Sequence, residues 1–357
     1  MELPLWKQFS VRVERLLEAK NETNELIGDF YKENETAIFR QGSATRLLDF
    51  LKPRSINYIY TDPPYGSHIA YLDLSTMWTA WLGFEITPED RADEVIEGGE
   101  LRKTRQNYHD LLGQSLQQMH EVLKPGAWMS LVFAHRDTNY WDALVDDCAA
   151  AGFRYVNTVV QPVGVVWSMH KKKNPLRVLS GELVLNFRKP EIKQERARPL
   201  PEPHNVIDVV RACCAREIVY KLGATTEELH HVVIPKLLEA GLLRSFSKQH
   251  GDLVPVLTSL FDFDDATGKW HLREDAFPDG SKDADLARYH IARFLSRSHR
   301  EGAPAAETEI RQYLSRAFKH NGLPSDKTFK RLLHEVGTCS DGSHWLPKNN
   351  CSQGELF

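Results

Sequence analysis

The chain has 357 residues, of which 41% are hydrophobic and 26% charged, with a formal net charge of −4. Two or three globular domains with ordinary cores are expected, and a globally basic nucleic-acid binder is excluded, so any affinity for a polyanion must come from local clusters. The cysteines, Cys148, Cys213, Cys214, Cys339 and Cys351, show no C-x-x-C spacing. With no apolar run of about 18 residues and no signal-peptide core, they argue for a cytoplasmic protein without zinc or another metal.

Residues 5 to 31 have helical spacing (Leu5, Phe9, Val13, Leu16, Leu17, Ile27, Tyr31), with a break expected at the polar Asn21-Glu22-Thr23-Asn24. Thr36 to Arg40 reads as a short strand. A helix follows Gly42-Ser43-Ala44, with Leu47, Leu48 and Phe50 inward, and Pro53 stops it. Ile56, Tyr58, Ile59 and Tyr60 read as a buried strand. It ends at Asp62-Pro63-Pro64-Tyr65, because two prolines cannot continue a ladder. A carboxylate, a rigid turn and an aromatic ring are thus placed at a strand's C-terminal end, where open α/β sheets bind ligands.

That group suits the exocyclic amine of a nucleobase. Such an amine is a poor nucleophile because its lone pair is delocalised into the ring. Hydrogen bonds to an acceptor pair, the Asp62 carboxylate and the Pro63 carbonyl, would favour the tetrahedral, nucleophilic form. Two prolines would hold the carbonyl in place beforehand. Tyr65 could stack on a base flipped out of a duplex. The structural alternative is a proline-terminated strand with a helix-capping Asp.

Leu74 to Leu82 predicts a helix whose bulk (Leu74, Met77, Trp78, Trp81, Leu82) is expected in the core. Residues 84 to 104 lack a period and read as a loop or mobile segment. Tyr108 to Leu123 predicts a helix closed by Pro125-Gly126. Ala127 to Ala134 predicts a strand buried on both faces. A helix over Asn139 to Ala151, ended by Gly152, and strands over Phe153 to Val160 and Gly181 to Arg188 complete an α/β, doubly wound sheet, the last pair as an antiparallel edge. The domains expected are a helical segment at 1–34, the α/β block at 35–190, a linker at 191–204 and a mostly helical region at 205–357. In that last region, helices are read over Val206 to Leu222, Thr225 to Ala240, 283–298, 305–320 and 325–337. Gly241-Leu242-Leu243 and Trp270-His271-Leu272 would begin and end a wing, and Gly342 to Pro347 would be a small strand. One or two winged-helix-like modules and a plain helical scaffold stand as alternatives.

Asp62-Pro63-Pro64-Tyr65 matches the catalytic motif of the amino-methyltransferases that methylate adenine N6 or cytosine N4 in DNA from S-adenosylmethionine, and the block at 35–190 resembles that family. Asp in first place fits the adenine group. Phe39-Arg40-Gln41-Gly42-Ser43-Ala44-Thr45 is similar to the segment near the cofactor's adenosine, and Leu123-Lys124-Pro125-Gly126-Ala127-Trp128 to the turn before the next core strand. The run through Gly66, Tyr71-Leu72-Asp73-Leu74-Ser75, Trp78 and Trp81-Leu82-Gly83 resembles large bacterial adenine-specific methylases associated with restriction-modification and phage defence. The resemblance implies a Rossmann-like sheet, catalysis by Asp62, Pro63, Pro64 and Tyr65, and cofactor contacts from Ser43, Thr45 and Asp62.

One departure from the family matters. No glycine-rich cofactor loop of the type D-P-F-x-G-x-G is found, and the sheet lacks its first two strands. The reading favoured is one half of a split methyltransferase, with DNA as substrate and a second protein subunit supplying the loop. The missing strands would pair with an exposed edge. A degenerate loop, or a non-catalytic DNA-binding or specificity subunit, are the alternatives, as is an RNA base methyltransferase. Ser67, His68 and Tyr71, just after the turn, are candidates for lining the base pocket. Trp167 with His170-Lys171-Lys172-Lys173 is a candidate for phosphate contact and stacking, against the alternative of a solvated loop. Arg102-Lys103-Arg105 with Tyr108 is a second basic patch.

Overall fold

The computed structural model describes residues 5–33, 40, 42–66, 69–161, 182–191, 205–273, 283–318 and 323–348. The chain divides into two compact units, Met1–Ser43 and Ala44–Phe357. The first contains α1 (Leu5–Glu33). This helix runs through 21–24 without the expected break. Asn, Glu and Thr are polar there but, unlike proline or glycine, permit helix, and the Thr23 hydroxyl donates back to the Ala19 carbonyl at 2.7 Å. The strand read over 36–40 falls almost wholly outside the described residues.

The second unit carries a four-stranded sheet in the order β1-β2-β4-β3, from β1 (Ile56–Thr61), β2 (Leu123–Phe133), β3 (Arg154–Gln161) and β4 (Glu182–Arg188). β1 pairs parallel with β2, and β4 lies antiparallel between β2 and β3. The α/β expectation is met. The last strand of the block is antiparallel as expected, but it is inserted in the sheet and leaves β3 at the edge. The β1–β2 crossover contains α4 (Arg105–Val122), which a Thr104–Asn107 capping box starts. After β2 comes α5 (Thr138–Ala150), capped by the Asp137 carboxylate. Leu112, Leu116 and Leu144 from these helices join Met129, Leu131, Phe133, Leu183, Leu185 and Phe187 from the strands in one core. β2 is buried on both faces from Met129 to Phe133, as its apolar run predicts.

Three expectations are corrected. β1 is not a buried strand: Tyr58 is 53% and Tyr60 60% exposed, because β1 is an edge with no further strand beyond it among the described residues. Leu48 is exposed in the 3-10 turn Ala44–Asp49, where a full helix was expected. The helix α2 (Tyr71–Leu82) forms as its spacing predicts, but it has no buried residue, with Trp78 59% and Trp81 73% exposed. The segment 84–104 also holds a short helix, α3 (Pro88–Asp93), started by Pro88 and a Thr87–Asp90 capping box. Six residues are too few for a periodicity to show.

The C-terminal part packs on the same core. It has α6 (Val206–Lys221), α7 (Thr226–Glu239), α8 (Leu243–Gln249), α9 (Leu253–Leu260) and the hairpin β5 (Asp262–Asp264) and β6 (Lys269–His271). Then follow α10 (Asp283–Arg300), β7 (Ala305–Ala306), α11 (Glu307–Ala317), α12 (Asp326–Val336), β8 (Gly337–Cys339) and β9 (His344–Pro347). The wing expected to begin at Gly241 does not: Leu243 opens α8, and the hairpin starts at Asp262. The two parts are tied by Thr138, whose amide and hydroxyl both donate to the Gly251 carbonyl at 2.8 and 2.9 Å, and by an Arg136–Asp252 ion pair. Among the described residues no helix is long and apolar enough to cross a membrane.

One buried imidazole makes this junction acid-sensitive. His230 on α7 lies against Trp141 on α5. Burial first, then the neighbouring His231, lowers its pKa to about 3. A histidine depressed in the folded state binds more protons when unfolded, so its contribution is present above pH 6.5 and is lost as pH falls towards 3. The slope is up to about 1.4 kcal/mol per pH unit. Thermal melts across pH 4 to 7 should therefore show a shallower slope in His230→Leu, with burial of His271 and His290, each lowered to about 4, carrying part of the remainder; an unchanged slope would assign the acid sensitivity elsewhere.

Candidate active site

The turn that ends β1 is held from behind. The Tyr65 hydroxyl donates to Asp62 Oδ1 at 2.6 Å, and its ring sets an edge on Phe133 of β2 at 5.1 Å between centroids. Burial first, then Asp62 and the nearby Glu182, raise the Tyr65 pKa far above the ordinary phenol range, so it stays a donor. The Tyr108 hydroxyl, fully buried on α4, donates to the Pro64 carbonyl at 2.7 Å. Gly66 closes the turn with φ +72. A Cβ there would come within 2.8 Å of the Tyr140 ring. Tyr140 is itself fixed: it donates to Glu97, Arg105 lies 4.3 Å over its ring, and Arg105 pairs with Asp137 at 3.3 Å. Burial and the Glu97 bond push the Tyr140 phenol up to about 12.

The front of the turn is open. Asp62 is exposed, Pro63, Pro64 and Tyr65 are half-buried, and among the described residues no donor is seated on the Pro63 carbonyl. An acceptor pair thus stands at the C-terminal end of a parallel strand, with the carboxylate steered by one phenol and the proline backbone by another. This arrangement can accept both N–H groups of an amine. Gly66→Ala is expected to lower stability by about 1–3 kcal/mol through the positive φ and the Tyr140 contact. A thermal melt checks it; an unshifted midpoint would mean that the turn is loose.

Of the other residues singled out in the sequence, Tyr71 opens α2 and is exposed. Thr45 sits in the 3-10 turn, and Ser43 belongs to the first unit. Ser67, His68, Trp167 and His170 to Lys173 lie outside the described residues. The second basic patch is mostly tied down: Lys103 Nζ is bonded to the carbonyls of Arg91, Ala92 and Glu94, Arg105 serves Tyr140, and Tyr108 is buried on the turn, while Arg102 stays exposed. Sequence reasoning missed Glu97, Tyr140 and Glu182 and gave Tyr108 another role. No spacing links these positions to residue 64: Glu97 and Tyr108 come from the β1–β2 crossover, Tyr140 from α5 and Glu182 from β4.

No family model matches the chain, and no curated protein matches it. Among solved structures, a candidate DNA modification methylase from Thermus thermophilus is 18% identical as its selenomethionine derivative, over 45% of this chain and 56% of that one, with TM-score 0.24. The form of that protein complexed with S-adenosyl-L-methionine is 15% identical over 48% and 61%, with TM-score 0.25. The [4+2]-cyclase SpnF is 11% identical over 43% and 56%, with TM-score 0.23. The chain spans less than two thirds of the length of each of these structures. Likeness at this level decides neither fold nor function, and the α/β assignment stands on the strand order of the chain itself.

Proposed function

We propose that this chain is the catalytic-motif subunit of an S-adenosylmethionine-dependent DNA methyltransferase that modifies N6 of a flipped adenine, in a cytoplasmic restriction-modification or phage-defence setting. The observation that carries the reading is the exposed Asp62 carboxylate, steered by Tyr65 and set beside the Pro63 carbonyl at the end of β1. These two acceptors take the two N–H bonds of the amine and draw its lone pair onto nitrogen. Tyr65 holds the carboxylate and Tyr108 holds the next carbonyl of the turn, that of Pro64, so little reorganisation is needed at the moment of attack. After transfer the surplus proton leaves to solvent past the exposed carboxylate. The methylase domain would be 35–190, preceded by the helical segment 1–34 and followed by the linker 191–204 and the region 205–357.

The cofactor supplies an electrophilic methyl group on sulfonium sulfur. This chain offers Thr45 and Asp62 towards it, but no glycine-rich turn to let a backbone approach its methionine part. That turn is assigned to a second protein subunit, an α/β chain that adds a parallel strand to the open edge of β1. Tyr71, Leu74, Met77, Trp78, Trp81, Leu82 and Phe84 are all exposed. At on the order of 100 Å² each, they offer roughly 700–900 Å², one partner's side of a standard interface. Calorimetry with the cofactor should register binding to the two-chain complex and none to this chain alone. Labelled methyl should then enter adenine in duplex DNA. A complex that binds the cofactor and labels RNA only, or nothing, sinks the proposal.

A further inference from the structure

The segment from α10 to the end of the described chain has an order of its own: helix α10, strand β7, helices α11 and α12, then the hairpin β8–β9, with sheet order β7-β9-β8. The hairpin follows directly on α12: β8 begins at Gly337, and after β9 the Lys348 amide returns to the Val336 carbonyl at 2.9 Å. α12 is sharply two-sided. Phe329, Leu332 and Leu333 face the core. The exposed positions Lys327, Lys330, Arg331 and His334 fall at the spacing of one outward stripe, and the first three carry positive charge.

The acidic groups near the stripe are occupied. Asp326 pairs with Arg311 at 2.8 Å, and Arg311 lies 4.0 Å over the Phe329 ring. Glu335 is 3.8 Å from Arg331, one turn along the helix. The carboxylate of Asp341 in the hairpin turn accepts from the amides of Ser343 and His344 and meets His344 Nδ1, so it is folded onto its own turn. Lys327 and Lys330 make no ion pair among the described residues. Lys348, just after β9, donates to the His334 carbonyl and adds a cation at the C-terminal end of the stripe.

We propose that α12 seats in the major groove of duplex DNA, with Lys327, Lys330 and Arg331 on the phosphates flanking the groove. The inference rests on the DNA substrate of the proposed function and adds the element that grips it. An 11-residue helix is about 16 Å long and fits a groove about 12 Å wide. The deep, narrow major groove of A-form RNA does not admit one, which selects duplex DNA. Phosphate contacts of this kind set orientation and a salt-dependent affinity, leaving base choice to the flipped-base turn.

Fluorescence anisotropy with a labelled mixed-sequence 20-base-pair duplex and the full chain tests this across 50–200 mM salt. For Lys330→Ala/Arg331→Ala the slope of log affinity against log salt should fall by about 2, and affinity at low salt should drop about tenfold or more. Lys248→Glu, an exposed lysine on α8, should change affinity less than about twofold. Duplex RNA of the same sequence should bind at least about tenfold more weakly than DNA. Circular dichroism should be unchanged, since the substituted groups are exposed. An unchanged slope, equal binding of duplex RNA, an equal loss in Lys248→Glu, or no binding by the unsubstituted chain overturns the proposal. Binding is read without methyl transfer. A lost slope with no methylation would fault the reaction assigned above, and methylation untouched by the double substitution would fault the role of α12.

Discussion

Asp62→Ala is expected to lower methyl transfer by the cofactor-binding complex at least about 100- to 1000-fold, the usual cost of removing one preorganised group that meets charge developing in the transition state. The loss should fall mainly on kcat, with DNA affinity within about threefold of the unsubstituted complex, because the carboxylate acts on the attacking amine rather than on the bulk of the DNA. Folding should be nearly untouched. Asp62 is exposed, and its one described partner, the Tyr65 hydroxyl, sits on a half-buried ring that Phe133 still supports. Asp62→Asn, which keeps the shape and one acceptor oxygen but loses the charge, should lie between the two. Label incorporated by Asp62→Ala at the full rate would remove the carboxylate from the mechanism.

The second large effect belongs to α2. Trp78→Glu/Trp81→Glu should weaken assembly with the cofactor-loop subunit by about 100-fold or more, since a buried interface tryptophan is typically worth about 2 kcal/mol or more and each 1.4 kcal/mol is tenfold. Sedimentation of the purified pair measures it, with cofactor binding lost in parallel. The isolated chain should melt as before, because the two indoles touch each other edge to face at 5.9 Å between centroids and neither enters the core. If the isolated chain instead lost several degrees of stability, the indoles would be core residues after all and the docking surface would have to lie elsewhere. Single-chain dimerisation through α2 would place a second copy where the partner subunit is expected.

The different fates of α2 and α4 explain how far the sequence could be read. Both show helical apolar spacing, and both form helices. In α4, Leu112 and Leu116 meet β2 and become core; in α2, Trp78 and Trp81 meet nothing of the core among the described residues. Periodicity reports that a stripe seeks burial and is silent on whether the cover lies in the same polypeptide. The reading of β1 failed in the same way. Its apolar residues suit a strand buried on both faces, and only the sheet order makes it an edge. The site was half legible. The acidic proline turn announced itself through proline's fixed geometry, whereas Tyr108, Tyr140, Glu97 and Glu182 come to it from distant segments.

The sequence by itself determined the local things: the presence of most of the longer helices, the position of the Asp62–Tyr65 turn at the end of a strand, and the amphipathic character of α12. Each depends on residues within a turn or two of one another, through capping, proline stereochemistry and side-chain period. Only the tertiary structure decided which phenols lock the turn, which apolar surfaces stay open, and which basic residues are tied to their own chain. Those outcomes depend on contacts between segments far apart in sequence, whose pairing follows from the packing of the whole core rather than from any one stretch of it.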